Sequence, residues 1–226
     1  MKKFYYIPFI LQKIGYIVFY ILHHIFLHLE INGRENLLNL NGPIILAPNH
    51  TSELDVTAVP LIFPIFSKFF PIYFATFPKK TYKERISGFR SYFYGGLFFD
   101  LLGGSSVYSG YKNYAISLKD HLALLKSGNN ICIFPEGRIT VDGKIGEAHG
   151  GLGYMVYATG ATVLPIAINT LYKMSFKEYF CSRRKVVITI CKPLVKNDLI
   201  FTPKPTVPEF RLASQKVLDK IQEVLD

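Results

Sequence analysis

His50 and Asp55 stand five residues apart in the run Asn49-His50-Thr51-Ser52-Glu53-Leu54-Asp55. A turn leading from a strand into a helix can bring a carboxylate at that distance back onto the imidazole. A carboxylate on Nδ1 fixes the tautomer and leaves Nε2 as a base able to take the proton of an acceptor hydroxyl. The same spacing also suits a purely structural contact. Ser52 as a nucleophile served by His50 is a weaker alternative, because residues two apart seldom converge in that way and no Gly-x-Ser-x-Gly elbow occurs in the chain.

A second group is Phe134-Pro135-Glu136-Gly137-Arg138-Ile139-Thr140, where an apolar run ends in a polar turn. Glu136 can orient Arg138 or accept from a substrate hydroxyl. Gly137 supplies an adaptable backbone. Arg138 offers a planar fork to a phosphate. An ordinary turn closed by a Glu–Arg pair remains an equal alternative. His149, a short way along the chain, could also touch a phosphate. In the third group, Val163-Leu164-Pro165-Ile166, the proline removes a ladder donor from a buried strand. It marks a bulge or an edge that could admit a ligand chain, although a core strand is the plainer meaning. His24 and His28 have the spacing of half a metal site, but no carboxylate or cysteine completes it. No metal is expected, and His23, His24 and His28 are read as interfacial residues, with His121 on a helix surface.

These residues need elements to position them. An Asn41-Gly42-Pro43 turn precedes a buried strand over 44–47, which delivers His50 at its end, and helical spacing follows over 53–63 despite Pro60. Further strands are expected over 70–77, 105–108, 130–134, 162–168 and 185–191, with helices over 88–102, 114–126 and 151–159. Thr206 and Glu209 form a capping box that opens a last helix running to residue 225. The alternation of strand and helix predicts an α/β fold, a mixed and largely parallel sheet flanked by helices. Sites in such folds gather at strand ends and in the loops that follow them.

The 226 residues suffice for one substantial domain. Half of them are hydrophobic and 15% aromatic, and the mean hydropathy is +0.23, so apolar surface is expected outside the core. The net charge of +10 favours phosphates, anionic headgroups or acidic carrier proteins. No nucleic-acid module is visible, and nucleic acid is not expected as a partner. Three widely spaced cysteines suggest neither a disulfide framework nor a zinc site and fit a cytoplasmic setting. Residues 1–29 hold no acid and three lysines. Their charged start is signal-like, but no cleavage pattern follows. Pro8, Gln12, Lys13 and the histidines interrupt a clean spanning helix of about 20 residues. An interfacial helix or helical hairpin is expected there, so residues 1–29 are read as a membrane-associated segment and 30–226 as the domain. Lys79, Lys80, Lys83, Arg85 and Arg90 with Tyr82 and Phe89 form one cationic aromatic patch. Lys173, Lys177, Arg183, Arg184 and Lys185 with Phe176, Tyr179 and Phe180 form another; each suits a bilayer surface or an acidic carrier protein, or is merely a solvated face.

Taken together, Asn49-His50-x4-Asp55, Phe134-Pro135-Glu136-Gly137-Arg138 and Val163-Leu164-Pro165-Ile166 resemble the 1-acylglycerol-3-phosphate acyltransferase family in order and separation, over roughly residues 30–168. The Glu136-Gly137-Arg138-Ile139-Thr140 block is similar to that of bacterial 2-acylglycerophosphoethanolamine acyltransferases. An arginine common in the family after its second block is missing, and Lys112 could substitute. The resemblance implies a domain that moves a fatty acyl group from acyl-coenzyme A or acyl carrier protein to a lysophospholipid at the cytoplasmic face of a membrane, without a further cofactor. It implies His50 as base held by Asp55, Glu136 and Arg138 near the acceptor phosphate, and Pro165 near the acyl donor. A catalytically silent lipid-binding protein of the same fold and an acyl thioesterase are the alternatives.

Overall fold

The computed structural model describes residues 6–78, 81, 97–108, 113–181 and 184–226. Lys112, Arg183, the whole first cationic patch and residues 88–96 of the helix expected over 88–102 lie outside them. Among the described residues, β1 (Glu30–Asn32), β2 (Ile44–Pro48), β3 (Ile72–Thr76), β4 (Gly104–Ser106), β5 (Asn130–Cys132), β6 (Thr162–Asn169) and β7 (Val187–Ile190) form one sheet. Its order is β1-β7-β6-β2-β5-β3-β4, parallel throughout except for the antiparallel β6–β7 pair. The expected mixed, largely parallel sheet flanked by helices is what the chain forms.

Strand β2 lies centrally, and all five of its residues are buried. Ile44 and Leu46 enter one core, Ile45 and Ala47 the other. A run of apolar residues without alternation is what a strand covered on both faces requires. On the first face lie α1 (Tyr6–Phe26) and the single turn α2 (Asp55–Ala58), followed by a 3-10 turn at Val59–Ile62. The remaining short helices are α3 (Leu97–Leu101), α4 (Tyr114–Ser117), α7 (Phe176–Cys181) and α8 (Lys196–Leu199). The second face is covered by α5 (Lys119–Lys126), α6 (Gly151–Thr159) and α9 (Val207–Leu225). At Gly153 a Cβ would stand 2.3 Å from the carbonyl oxygen of Phe210, so only glycine lets α6 approach α9 this closely.

Two helices differ from expectation. The helix expected over 53–63 is one α-turn continued as a 3-10 turn, because Pro60 has no amide to extend the α ladder. The helix over 114–126 breaks at Leu118, whose φ of −110° leaves the helical region. β1, α7 and α8 were not foreseen. They are short and carry little periodic signal.

Helix α1 is long and apolar enough to cross a membrane by length and composition. Its inner stripe is nevertheless fastened to the domain along its length. Gln12 Nε2 donates to the carbonyls of Ile72 and Leu102 at 2.6 and 2.8 Å, and its Oε1 accepts from the Ile72 amide at 2.9 Å. The Tyr16 hydroxyl donates to Phe63 O at 3.0 Å. The outer stripe, Ile7, Ile10, Ile14, Ile17, Ile21 and Ile25, is 38–57% exposed.

Candidate active site

Asn49 follows the last residue of β2, and its side-chain amide is spent on the sheet. Nδ2 donates to Ile168 O at 3.0 Å, and Oδ1 accepts from the Ile168 amide at 2.7 Å. That double bond to β6 fixes the exit direction of the chain, and the next residue is His50.

The turn from β2 into α2 folds Asp55 back onto the imidazole. His50 Nδ1 lies 3.0 Å from Asp55 Oδ2. The same oxygen accepts from the amides of Thr51 and Ser52 at 2.7 and 2.8 Å, while Oδ1 faces the Thr51 hydroxyl at 3.3 Å. A carboxylate oxygen ringed by amide donors can only accept, so the shared proton sits on Nδ1 and the lone pair on Nε2. Asp55 is fully buried, whereas the His50 side chain keeps 16% of its surface exposed. The Phe134 ring stacks on the imidazole at 3.8 Å between centroids. Ser52 is committed elsewhere, its amide to Asp55 and its hydroxyl to the Leu54 amide at 3.2 Å.

Glu136 does not orient Arg138, the first of the two roles expected of it. Its carboxylate makes no pair with Arg138; Oε1 accepts from the His50 amide at 2.8 Å and Oε2 from the Gly146 amide at 2.9 Å. It is 4% exposed. The Thr140 amide donates to the His50 carbonyl at 2.8 Å, so the loop after β5 grips the His50 backbone on both sides. Glu136 is therefore a brace between loops. Gly137 has a φ of +65°, and a Cβ there would stand 2.8 Å from the His149 ring. Glycine is required on both counts. The Gly137 amide is already given to Phe134 O at 3.0 Å.

Arg138 is exposed and makes no hydrogen bond or ion pair among the described residues. His149 is exposed beside Gly137, its amide given to Pro135 O at 2.8 Å. The chain thus brings His50, Asp55, Glu136, Gly137, Arg138 and His149 into one cluster at the ends of β2 and β5. Pro165 is buried inside β6, level with Ala47 of β2. Val163 pairs with Leu194 and Ile166 with Ile190, so the partner segment carries one extra residue opposite Pro165. The proline lies in an interior strand, opposite a bulge in the partner segment and not at an edge.

Three other expectations change. His23 is buried rather than interfacial, and His121 is buried rather than on a helix surface. His28 lies beyond the end of α1 with a φ of +42°, so it shares no helix face with His24. Of the second cationic patch, Arg184 pairs with Glu178 at 2.8 Å and Lys185 with Glu30 at 2.7 Å, and Tyr179 is buried. Phe134 and Asn49 acquire roles that sequence reasoning did not assign. Their position inside the recurring segments was the available signal.

The Acyltransferase family model matches residues 28–169, a span that contains every residue of this cluster. The chain belongs to the acyltransferase family. Its fold is similar to that of the 1-acyl-sn-glycerophosphate (LPA) acyltransferase PlsC from Thermotoga maritima. The TM-score is 0.63 at 21% identity, over 95% of this chain and 78% of that one. An imidazole held at Nδ1 by a buried carboxylate at a strand's end is chemistry suited to acyl transfer by general base catalysis, in which the base prepares the attacking group.

Proposed function

We propose that this acyltransferase moves a fatty acyl group from a thioester, acyl-coenzyme A or acyl carrier protein, onto the free hydroxyl of a lysophospholipid at the cytoplasmic face of a membrane. The observation that carries this reading is His50 held at Nδ1 by Asp55, with no hydrogen-bond partner to Nε2 among the described residues. Nε2 takes the proton of the acceptor hydroxyl as its oxygen attacks the thioester carbonyl. The carbon–sulfur bond breaks when the tetrahedral intermediate collapses, and the proton on His50 passes to the departing thiolate. No enzyme nucleophile is needed. The nearby Cys132 is unsuited to be one, since burial and then the Asp55 charge push its thiol well above its usual value.

The amides of Arg138 and Ile139 have no partner among the described residues and are the candidate oxyanion donors. The Arg138 guanidinium suits the acceptor phosphate. An apolar groove between α1 and α2, lined by Leu11, Gly15, Phe19, Val56, Pro60 and Phe74, runs beside the helix that carries Asp55 and fits an acyl chain. Helix α1 lies flat in the headgroup region. A helix fastened along its whole inner stripe cannot cross a bilayer without carrying the domain with it, whereas its isoleucine stripe is free to enter the interface.

The test is thiol release from palmitoyl-coenzyme A by purified protein on vesicles, with lysophosphatidic acid, lysophosphatidylethanolamine or no acceptor. Release that depends on one lysolipid supports the reading and names its class. Equal release without acceptor replaces it by a thioesterase. No release from either coenzyme A or carrier-protein thioesters favours a silent lipid-binding protein.

A further inference from the structure

His23 is 1% exposed on the inner stripe of α1. Its Nδ1 lies 2.7 Å from the Tyr179 hydroxyl of α7, and its Nε2 lies 3.0 Å from Thr57 Oγ1 of α2. Thr57 Oγ1 gives its own proton to the carbonyl of Leu54 at 2.6 Å, so toward His23 it can only accept. Nε2 therefore carries the imidazole proton, Nδ1 accepts, and Tyr179 donates. Each hydrogen in the chain Tyr179, His23, Thr57, Leu54 is placed by its neighbour, and a neutral ring satisfies them all. Burial, with a smaller contribution from His24, pushes the pKa of His23 down to about 4 and agrees with that state.

Helix α2 has four residues, too few to hold their own geometry. Leu54 precedes Asp55, and Thr57 follows it within the same turn. The bonds that fix this turn from outside thus bear on the carboxylate that sets the His50 tautomer. We propose that His23 is a positioning residue for acyl transfer, a strut by which the lipid-facing helix α1 holds the one-turn helix bearing Asp55 against His50. This rests on the reading of His50 as the base.

Thr57→Val keeps the shape of the side chain and deletes the acceptor; it leaves the buried Nε2–H of His23 unpaired and so lowers stability, and kcat is therefore read per folded molecule. Acyl transfer from palmitoyl-coenzyme A on vesicles is measured for wild type, Thr57→Val, His23→Ala, His23→Gln, the Thr57→Val/His23→Ala double variant and His50→Ala. Each is also melted, and the imidazole 15N signals of His50 are recorded. The expected loss in Thr57→Val is about tenfold in kcat, with the donor KM within about twofold and His50 no longer held in a single tautomer. The double variant should be no slower than His23→Ala. His23→Gln, which returns an N–H near the Nε2 position, should recover most of the loss. A purely structural role would lower melting temperature and leave kcat per folded molecule unchanged.

Wild-type kcat and an unchanged His50 spectrum in Thr57→Val would overturn the proposal, as would losses that multiply in the double variant. Wild-type activity in His50→Ala would instead sink the base assignment. The His50 spectrum tests the strut in that case as well.

Discussion

The backbone amide of His50 and the backbone amide of Gly146 share one buried carboxylate, that of Glu136, at 2.8 and 2.9 Å. Both donors are amides, so both oxygens must accept. Glu136→Gln places an amide group against one of them, and Glu136→Ala removes both acceptors. A buried donor left without a partner costs about 1–3 kcal/mol. Either variant is expected to melt earlier and to lose at least about tenfold in kcat, because the His50 backbone is no longer gripped. A residue that only touched substrate would raise KM and leave melting unchanged. Thermal melts alongside steady-state kinetics separate the two.

Arg138 presents the opposite case, exposed and without an ion pair among the described residues. Arg138→Ala should leave the melting temperature within a degree or two and raise the acceptor KM by about tenfold or more, the scale of one charge-assisted contact. The donor KM should stay where it was. Varying lysolipid at fixed thioester, then the reverse, checks both statements.

Much of this was legible in the chain. The β2 run over 44–47 has no polar interruption, which announced a strand buried on both faces, and the polar segment after it announced the turn. The return of Asp55 to His50 follows from the strand-to-helix geometry their spacing permits. The role of Glu136 was not legible. Its partners are backbone amides 86 and 10 residues away along the chain, and backbone amides carry no sequence signature. His23 was misread for a related reason. Among isoleucines and other histidines it looks interfacial, and only the docking of α1 on α2 and α7 decides which face is inward.

That burial has a pH signature. The pKa of His23 is lowered from 6.5 to about 4, so the native state resists a proton that the unfolded chain accepts. Stability from this group is full above pH 6.5 and is lost as pH falls toward about 4. The loss amounts to about 3 kcal/mol at most. Urea midpoints of wild type should fall across this window more steeply than those of His23→Gln, and parallel profiles would contradict the assignment.

The outer stripe of α1 carries the proposed contact with lipid. Ile14, Ile17 and Ile21 are each at least 50% exposed, so replacing all three by Ser should barely move the melting temperature. Each loses on the order of 1 kcal/mol of apolar burial in the interface, and binding to anionic vesicles should weaken by tenfold or more. Cosedimentation across lipid concentrations measures it.

The central claim is that His50 Nε2 takes the proton of the attacking hydroxyl. The most direct measurement follows radiolabelled acyl group from thioester to lysolipid in a single turnover, by wild type and by His50→Ala matched for vesicle binding and melting temperature. Loss of a general base is expected to slow transfer by about two to four orders of magnitude, with substrate binding retained. Transfer within a few-fold of wild type in His50→Ala would show that the proton goes elsewhere and would contradict the mechanism.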